Sequence, residues 1–230
     1  MSSSAIDIFG NQADNFKNKV INGNFDFWQR MRGISSLYQF PSSGTPQNID
    51  INSFVADRWF ISSTMSGTDT FVASVQRQAF AAGQNKILSL PTYYADFRGA
   101  VTEGNGTASQ VSLCQRIEGV KTFAGKQVTV SFWIKGSVDG YASFRVNQKF
   151  GSGGSPSTTV NVGQRQFAVA TTFTQHVFTF TMPEIASGTT IGNEKDDCLE
   201  IGFHTYCSAN HLGTQGKTNY TGTLSIAEVQ

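Results

Sequence analysis

Proton-transfer chemistry in this 230-residue chain would have to come from three histidines, His176, His204 and His211, and sixteen acidic residues. A histidine acts as a general base only within hydrogen-bond reach of the group it serves. His176 precedes an expected strand, His204 ends one, and neither sits in a nucleophile motif. There is no Gly-x-Ser-x-Gly and no His-Glu-x-x-His. Glycoside hydrolysis would need two carboxylates facing each other across a bond. The candidates Asp96, Glu103, Asp139, Glu184 and Glu194 fall in or beside expected loops with no motif around them, and Asp196-Asp197 stands at a strand start, in water. Cys114, Cys198 and Cys207 are odd in number and fit no zinc spacing, so they read as buried, reduced thiols. The expectation is a chain with no catalytic residue, no metal and no cofactor.

Binding chemistry is better supplied. A sugar site needs exposed aromatic rings for the apolar face of the pyranose, with amides and carboxylates for its hydroxyls. Tyr93, Tyr94 and Phe97 are the candidate glycan contacts, and Tyr206 and Tyr220 can add to such a platform. The competing reading packs these rings under their own loops or against a neighbouring subunit.

The elements that must hold these residues are strands. Charged residues make up only 14% of the chain and aromatic residues 12%, which argues against disorder and against a helical protein. The net charge of +1 gives no electrostatic case for nucleic acid. No run of about 18 apolar residues is present, so no membrane partner is expected. The clearest strand is 127–135: Val128, Val130, Phe132 and Ile134 share one face, and Thr129, Ser131 and Trp133 the other. Asp139-Gly140 reads as a hairpin turn into 141–150, where Ala142, Phe144 and Val146 alternate with Ser143, Arg145 and Asn147. Further strands are expected from Ala56, over 71–78, 86–90, 110–117, 164–170, 176–180, 198–204 and 222–229. Residues 31–53 and 91–106 read as loops, and 119–123 as a turn of helix. About ten such strands make an all-β jelly-roll sandwich.

Two motifs organise the chain. The first is Lys19-Val20-Ile21-Asn22-Gly23-Asn24-Phe25-Asp26-Phe27-Trp28-Gln29-Arg30, with Asn22-Gly23 as a turn signal and Phe25 and Phe27 on one face of an extended segment. The second is Phe54-Val55-Ala56-Asp57-Arg58-Trp59, in which a strand would put Asp57 and Trp59 on one side and leave Arg58 to pair a carboxylate. Leu113 to Glu118, Ala124 to Lys135, Phe150 to Ser157 and Leu224 to Gln230 follow in order. In this arrangement the chain resembles a family of bacteriophage virion surface proteins, which includes tail appendages and capsid-decoration modules related to carbohydrate-binding jelly rolls.

That resemblance implies a structural signature of Asn24, Trp28, Asp57, Arg58 and Trp59. It implies location on a virion assembled in the host bacterial cytoplasm, in keeping with the absence of a leader pattern at the first residues. In related modules a structural Ca²⁺ often sits where Asp26 and Glu228 fall, but two carboxylates alone do not make the at least about six oxygens it takes. The expected division is an extended arm over 1–18 and a sandwich over 19–230. Ile6, Ile8, Phe9 and Phe16 make the arm an attachment segment, able to reach roughly 60 Å when extended. The expected function is a capsid cement protein acting as a homotrimer, with itself and the major capsid protein or other virion proteins as partners. A tail appendage binding host surface glycan, or a free carbohydrate-binding module, is the alternative.

Overall fold

The computed structural model describes residues 18–29, 40–41, 53–208 and 218–230. The apolar arm residues Ile6, Ile8, Phe9 and Phe16 lie outside them, as does His211. Thirteen strands fill the described chain. They are β1 (Phe40–Pro41), β2 (Ser53–Phe54), β3 (Trp59–Thr64), β4 (Thr70–Ala79), β5 (Tyr93–Thr102), β6 (Gln110–Glu118) and β7 (Gln127–Gly136). There follow β8 (Gly140–Lys149), β9 (Val160–Val169), β10 (Thr174–Thr181), β11 (Cys198–Cys207), β12 (Thr218–Asn219) and β13 (Leu224–Ala227). They form two antiparallel sheets, a sandwich of jelly-roll type. One runs β1-β4-β5-β13-β7-β10; the other runs β2-β3-β6-β11-β8-β9, with β12 paired to β11.

The inner faces follow from period-2 alternation. Phe132 and Ile134 of β7 are buried, and Val130 nearly so. Phe132 meets Phe203 of β11 at 4.8 Å and Phe144 of β8 and Phe167 of β9 at 5.4 Å, joining the sheets through rings. His176 of β10 also points inward, 4.9 Å from the Phe167 ring.

Several sequence expectations are corrected. Residues 93–102, within an expected loop, form a ten-residue strand, β5, paired along its whole length with β4. Residues 86–90 form a turn instead of a strand, closed by the Leu90 N–H donating to the Ile87 carbonyl at 3.0 Å. Residues 119–123 form turns and no helix. Asp139-Gly140 does not make a hairpin: β7 pairs β10 and β13 in one sheet, while β8 pairs β9 and β11 in the other. The connection crosses the sandwich. Tyr220 pins it by donating its hydroxyl to the Val138 carbonyl at 2.8 Å.

The two organising motifs are turns joined to each other. Asn22 and Phe25 have φ of 56° and 57°, so the segment bends; Phe25 is buried while Phe27 is 60% exposed. The Asn22 side chain donates to the carbonyls of Phe27 (2.8 Å) and Asp57 (3.1 Å) and accepts from the Phe27 N–H (3.0 Å). Trp59 Nε1 donates to the Asn22 carbonyl at 3.1 Å. Gly23 lies so close to the chain end that a Cβ there would run into the Val229 carbonyl. Asp57 and Arg58 precede β3 in a turn rather than sitting on it. Asp57 accepts from the Gln29 N–H, and Arg58 pairs Glu118 at 3.0 Å near the surface. Trp28 and Asn24 are half-buried and Trp59 is fully buried.

Candidate functional site

Alternation also dictates what the outer faces carry. On β8, Ala142, Phe144 and Val146 enter the core, which turns Tyr141, Ser143, Arg145 and Asn147 outward. Cross-strand register then lays polar residues in rows over the seven-stranded sheet. One row runs Phe60, Cys114, Gly202, Arg145, Gln164. The next runs Ser62, Ser112, His204, Ser143, Gln166. A third pairs Arg116, Glu200 and Asn147.

An outer face would ordinarily be wet, yet this one is not. Every residue of β11 is buried, and over Glu200 the cover is supplied by long side chains from β6 and β8. Arg116 Nε and Lys149 Nζ both reach Glu200 Oε2, at 3.0 and 2.7 Å. Arg116 also lies over the Phe60 ring, 4.8 Å from its centroid. Burial pushes the Cys114 thiol up to about 12, with Glu200 adding to it, so it is no nucleophile.

Beside this ion triad the polar groups are buried but incompletely matched. Arg145 is 9% exposed and Gln164 6%. Arg145 donates from Nη2 to Gln110 Oε1 at 2.7 Å, while its Nε is unpartnered. Both polar atoms of the Gln164 side-chain amide and the Ser143 hydroxyl also have no partner among the described residues. Buried polar atoms are ordinarily satisfied, and each exception calls for an explanation. Tyr141, on the same face of β8, is 61% exposed and flanks this group.

The opposite sheet carries a second outer cluster. Phe80, Tyr94 and Phe173 pack ring to ring at 4.7 to 5.5 Å. Lys135 Nζ stands 5.2 and 5.1 Å from the Tyr94 and Phe173 centroids. Asp96, bonded by the Ser225 hydroxyl, has its carboxyl pushed up by burial. This cluster is half-exposed and already filled by its own lysine.

A cleft of about 860 Å³ opens between the sheets beside Lys19 and Lys126. Its lining mixes aliphatic Val128, Val146, Leu199 and Ile201 with polar Asn18, Gln127, Thr129 and Ser131.

The sequence candidates scatter over these places. Tyr94 belongs to the second cluster. Tyr93 lies under the Arg77 guanidinium, 4.3 Å from its ring centroid. Phe97 is wholly buried in the core, out of reach of any ligand, because it shares the inward side of β5 with Ala95. Tyr206 and Tyr220 are buried as well. Asp96 lies on β5, and Glu200, which had drawn no notice, is the acid of the polar face. Ser143, Arg145 and Gln164 were also missed: polar residues alternating along a strand look like a solvated face. Among the described residues, no three of His, Cys, Asp and Glu gather as a metal site.

No family model and no curated protein matches the sequence. Solved structures do. A putative sugar binding protein from Bacteroides thetaiotaomicron is 15% identical, over 93% of this chain and 98% of that one, with a TM-score of 0.53. A family 4 carbohydrate-binding module is 17% identical over 92% and 97%, with a TM-score of 0.45. The enzymatically active domain of tailspike protein 4 of bacteriophage CBA120 is 15% identical, over 92% of this chain and 21% of that one, with a TM-score of 0.43. At these identities the likeness concerns the fold.

Proposed function

We propose that this chain is a non-catalytic glycan-binding module whose ligand lies across the outer face of the seven-stranded sheet. The observation that carries this reading is the Gln164 amide, buried with donor and acceptor both unmatched beside Ser143 Oγ and Arg145 Nε. Sugar hydroxyls donate and accept at once, and an amide next to a hydroxyl and a guanidinium answers that pattern. Tyr141 supplies an exposed ring at the end of the same strand for stacking. Glu200, the acid in the middle of this face, is held in two ion pairs, which suits structure better than proton transfer. The virion setting rests on the sequence motifs, and attachment through the arm rests on residues outside the described chain.

A glycan array followed by titration calorimetry tests the reading. The parent chain is expected to bind a defined set of oligosaccharides. Gln164→Ala and Tyr141→Ala should each weaken that binding about tenfold or more while leaving the circular dichroism unchanged. Unaltered affinity in both variants would move the site elsewhere.

A second reading, assembly with copies of itself or with shell proteins as a cement, is favoured by a different observation. Leu88 and Leu90, two residues apart on one turn, and Phe27 expose large apolar side chains suited to docking.

A further inference from the structure

Resting on the glycan-binding reading, we infer that the ligand is an anionic saccharide whose acidic group is received by Arg145, between Ser143 and Gln164. Arg116 and Lys149 share the charge of Glu200. Arg145, one register row away, has no carboxylate within ion-pair distance among the described residues. Arg116, Lys149 and Arg145 thus gather about Glu200 on a face largely shielded from water, with Asp196 also within electrostatic reach of Arg116. A buried charge without a counter-charge is strongly unfavourable, so a site that keeps one is suited to a ligand that brings the opposite sign. The neutral Gln110 amide oxygen meets only Nη2; the unpartnered Nε leaves one edge of the guanidinium with a donor to spare. Guanidinium edges of this kind receive carboxylate, sulfate or phosphate oxygens in pairs. The Ser143 hydroxyl and the Gln164 Nε2 amide add neutral donors on either side.

Access is built into the sheet edge. Gln164 lies on β9, the last strand of its sheet, and caps the row that ends at Arg145. Among the described residues no hydrogen bond holds its side-chain amide, so turning it aside breaks none of theirs. An approaching anionic sugar can therefore displace Gln164 toward the rim, and the amide can then close on a ring hydroxyl. Neutral sugars leave the guanidinium uncompensated, so discrimination follows from charge and not from shape alone.

The test titrates the full chain with uronate-containing, sialylated and sulfated oligosaccharides, each beside its carboxyl-reduced or desulfated counterpart. At least one acidic member should bind about tenfold or more tighter than its neutral counterpart. Its affinity should fall between about 0.05 M and about 0.5 M salt. Arg145→Gln should erase the preference, and Arg145→Lys should keep part of it. Because a folding defect would mimic lost binding, thermal melts accompany each variant; relieved of a buried cation, Arg145→Gln should melt no lower than the parent. Which acidic member binds identifies carboxylate or sulfate as the group. If neutral counterparts bind as tightly as acidic ones, the anionic inference falls while glycan binding stands. If no oligosaccharide of either kind binds, the reading on which it rests falls too.

Discussion

Single side chains in this sandwich are tuned by burial more than by neighbours. The thiols illustrate it: from an ordinary value of 9.0, burial pushes Cys114 up to about 12 and Cys198 and Cys207 up to about 11. All three are free and buried, and Cys198 and Cys207 sit at opposite ends of one ten-residue strand, too far apart to bridge. An unfolded chain would lose these protons near 9, before the folded one does. The stabilising contribution is therefore whole below about pH 9 and drains away as pH rises toward about 12. Urea midpoints should hold steady from neutrality to about pH 8.5 and then decline steeply, and Cys114→Ala should flatten that decline. Rapid labelling of the native chain by a disulfide reagent at neutral pH would contradict the burial. His176 shows the same control with opposite sign, its imidazole held below its usual range by burial among aromatic rings.

At the level of strands, the sequence was read well where one face is apolar and one polar, and poorly where both faces are covered. β7 illustrates the first case. Its Phe132 touches rings from β8, β9, β10 and β11, so Phe132→Ala should cost about 3–5 kcal/mol in chemical denaturation. A loss below about 1 kcal/mol would mean the two sheets close over the gap. β11 illustrates the second case: Cys198, Glu200, Gly202 and His204 alternate with Leu199, Ile201 and Phe203 as a solvated strand would, yet all are buried. Nothing local announces that Arg116 and Lys149 will fold over them, because the partners lie 84 and 51 residues away. Pairing was illegible for a related reason. Asp139-Gly140 marks a reversal, but only the two-sheet topology decides whether the next strand pairs with the last or crosses over. Residues 93–97, expected in a loop, lie on a paired strand, whose alternation sends Tyr94 outward and Phe97 inward.

Assembly is a question for the whole molecule, and exposed apolar side chains near the C-terminal strand bear on it. The turn over 87–90 projects Leu88, 90% exposed, and Leu90, 61% exposed. Ser89 between them bonds Glu228, and the neighbouring Val229 N–H reaches the Gly23 carbonyl at 3.1 Å. The Asn22 clamp separately holds Phe27, another exposed apolar side chain. Each of these side chains gains about 1.5–3 kcal/mol when fully buried. Association forfeits an estimated 4–15 kcal/mol or so of translational and rotational freedom. A symmetric contact that buries these residues on every copy would offset that cost only in part or narrowly, so any assembly through them is expected to depend on concentration. The apolar arm residues Ile6 to Phe16 lie outside the described residues; as a tethered segment they would act on a neighbour at raised effective concentration. Sedimentation of the full chain should show a concentration-dependent trimer. Phe27→Ser with Leu88→Ser should shift it toward monomer without lowering the melting temperature, since both side chains already face water. Deletion of residues 1–18 should weaken the trimer further and loosen attachment to virions, while leaving glycan titrations unchanged. A parent chain that stays monomeric at every concentration and on the particle would remove the assembly reading and leave the polar face of the seven-stranded sheet as the working surface.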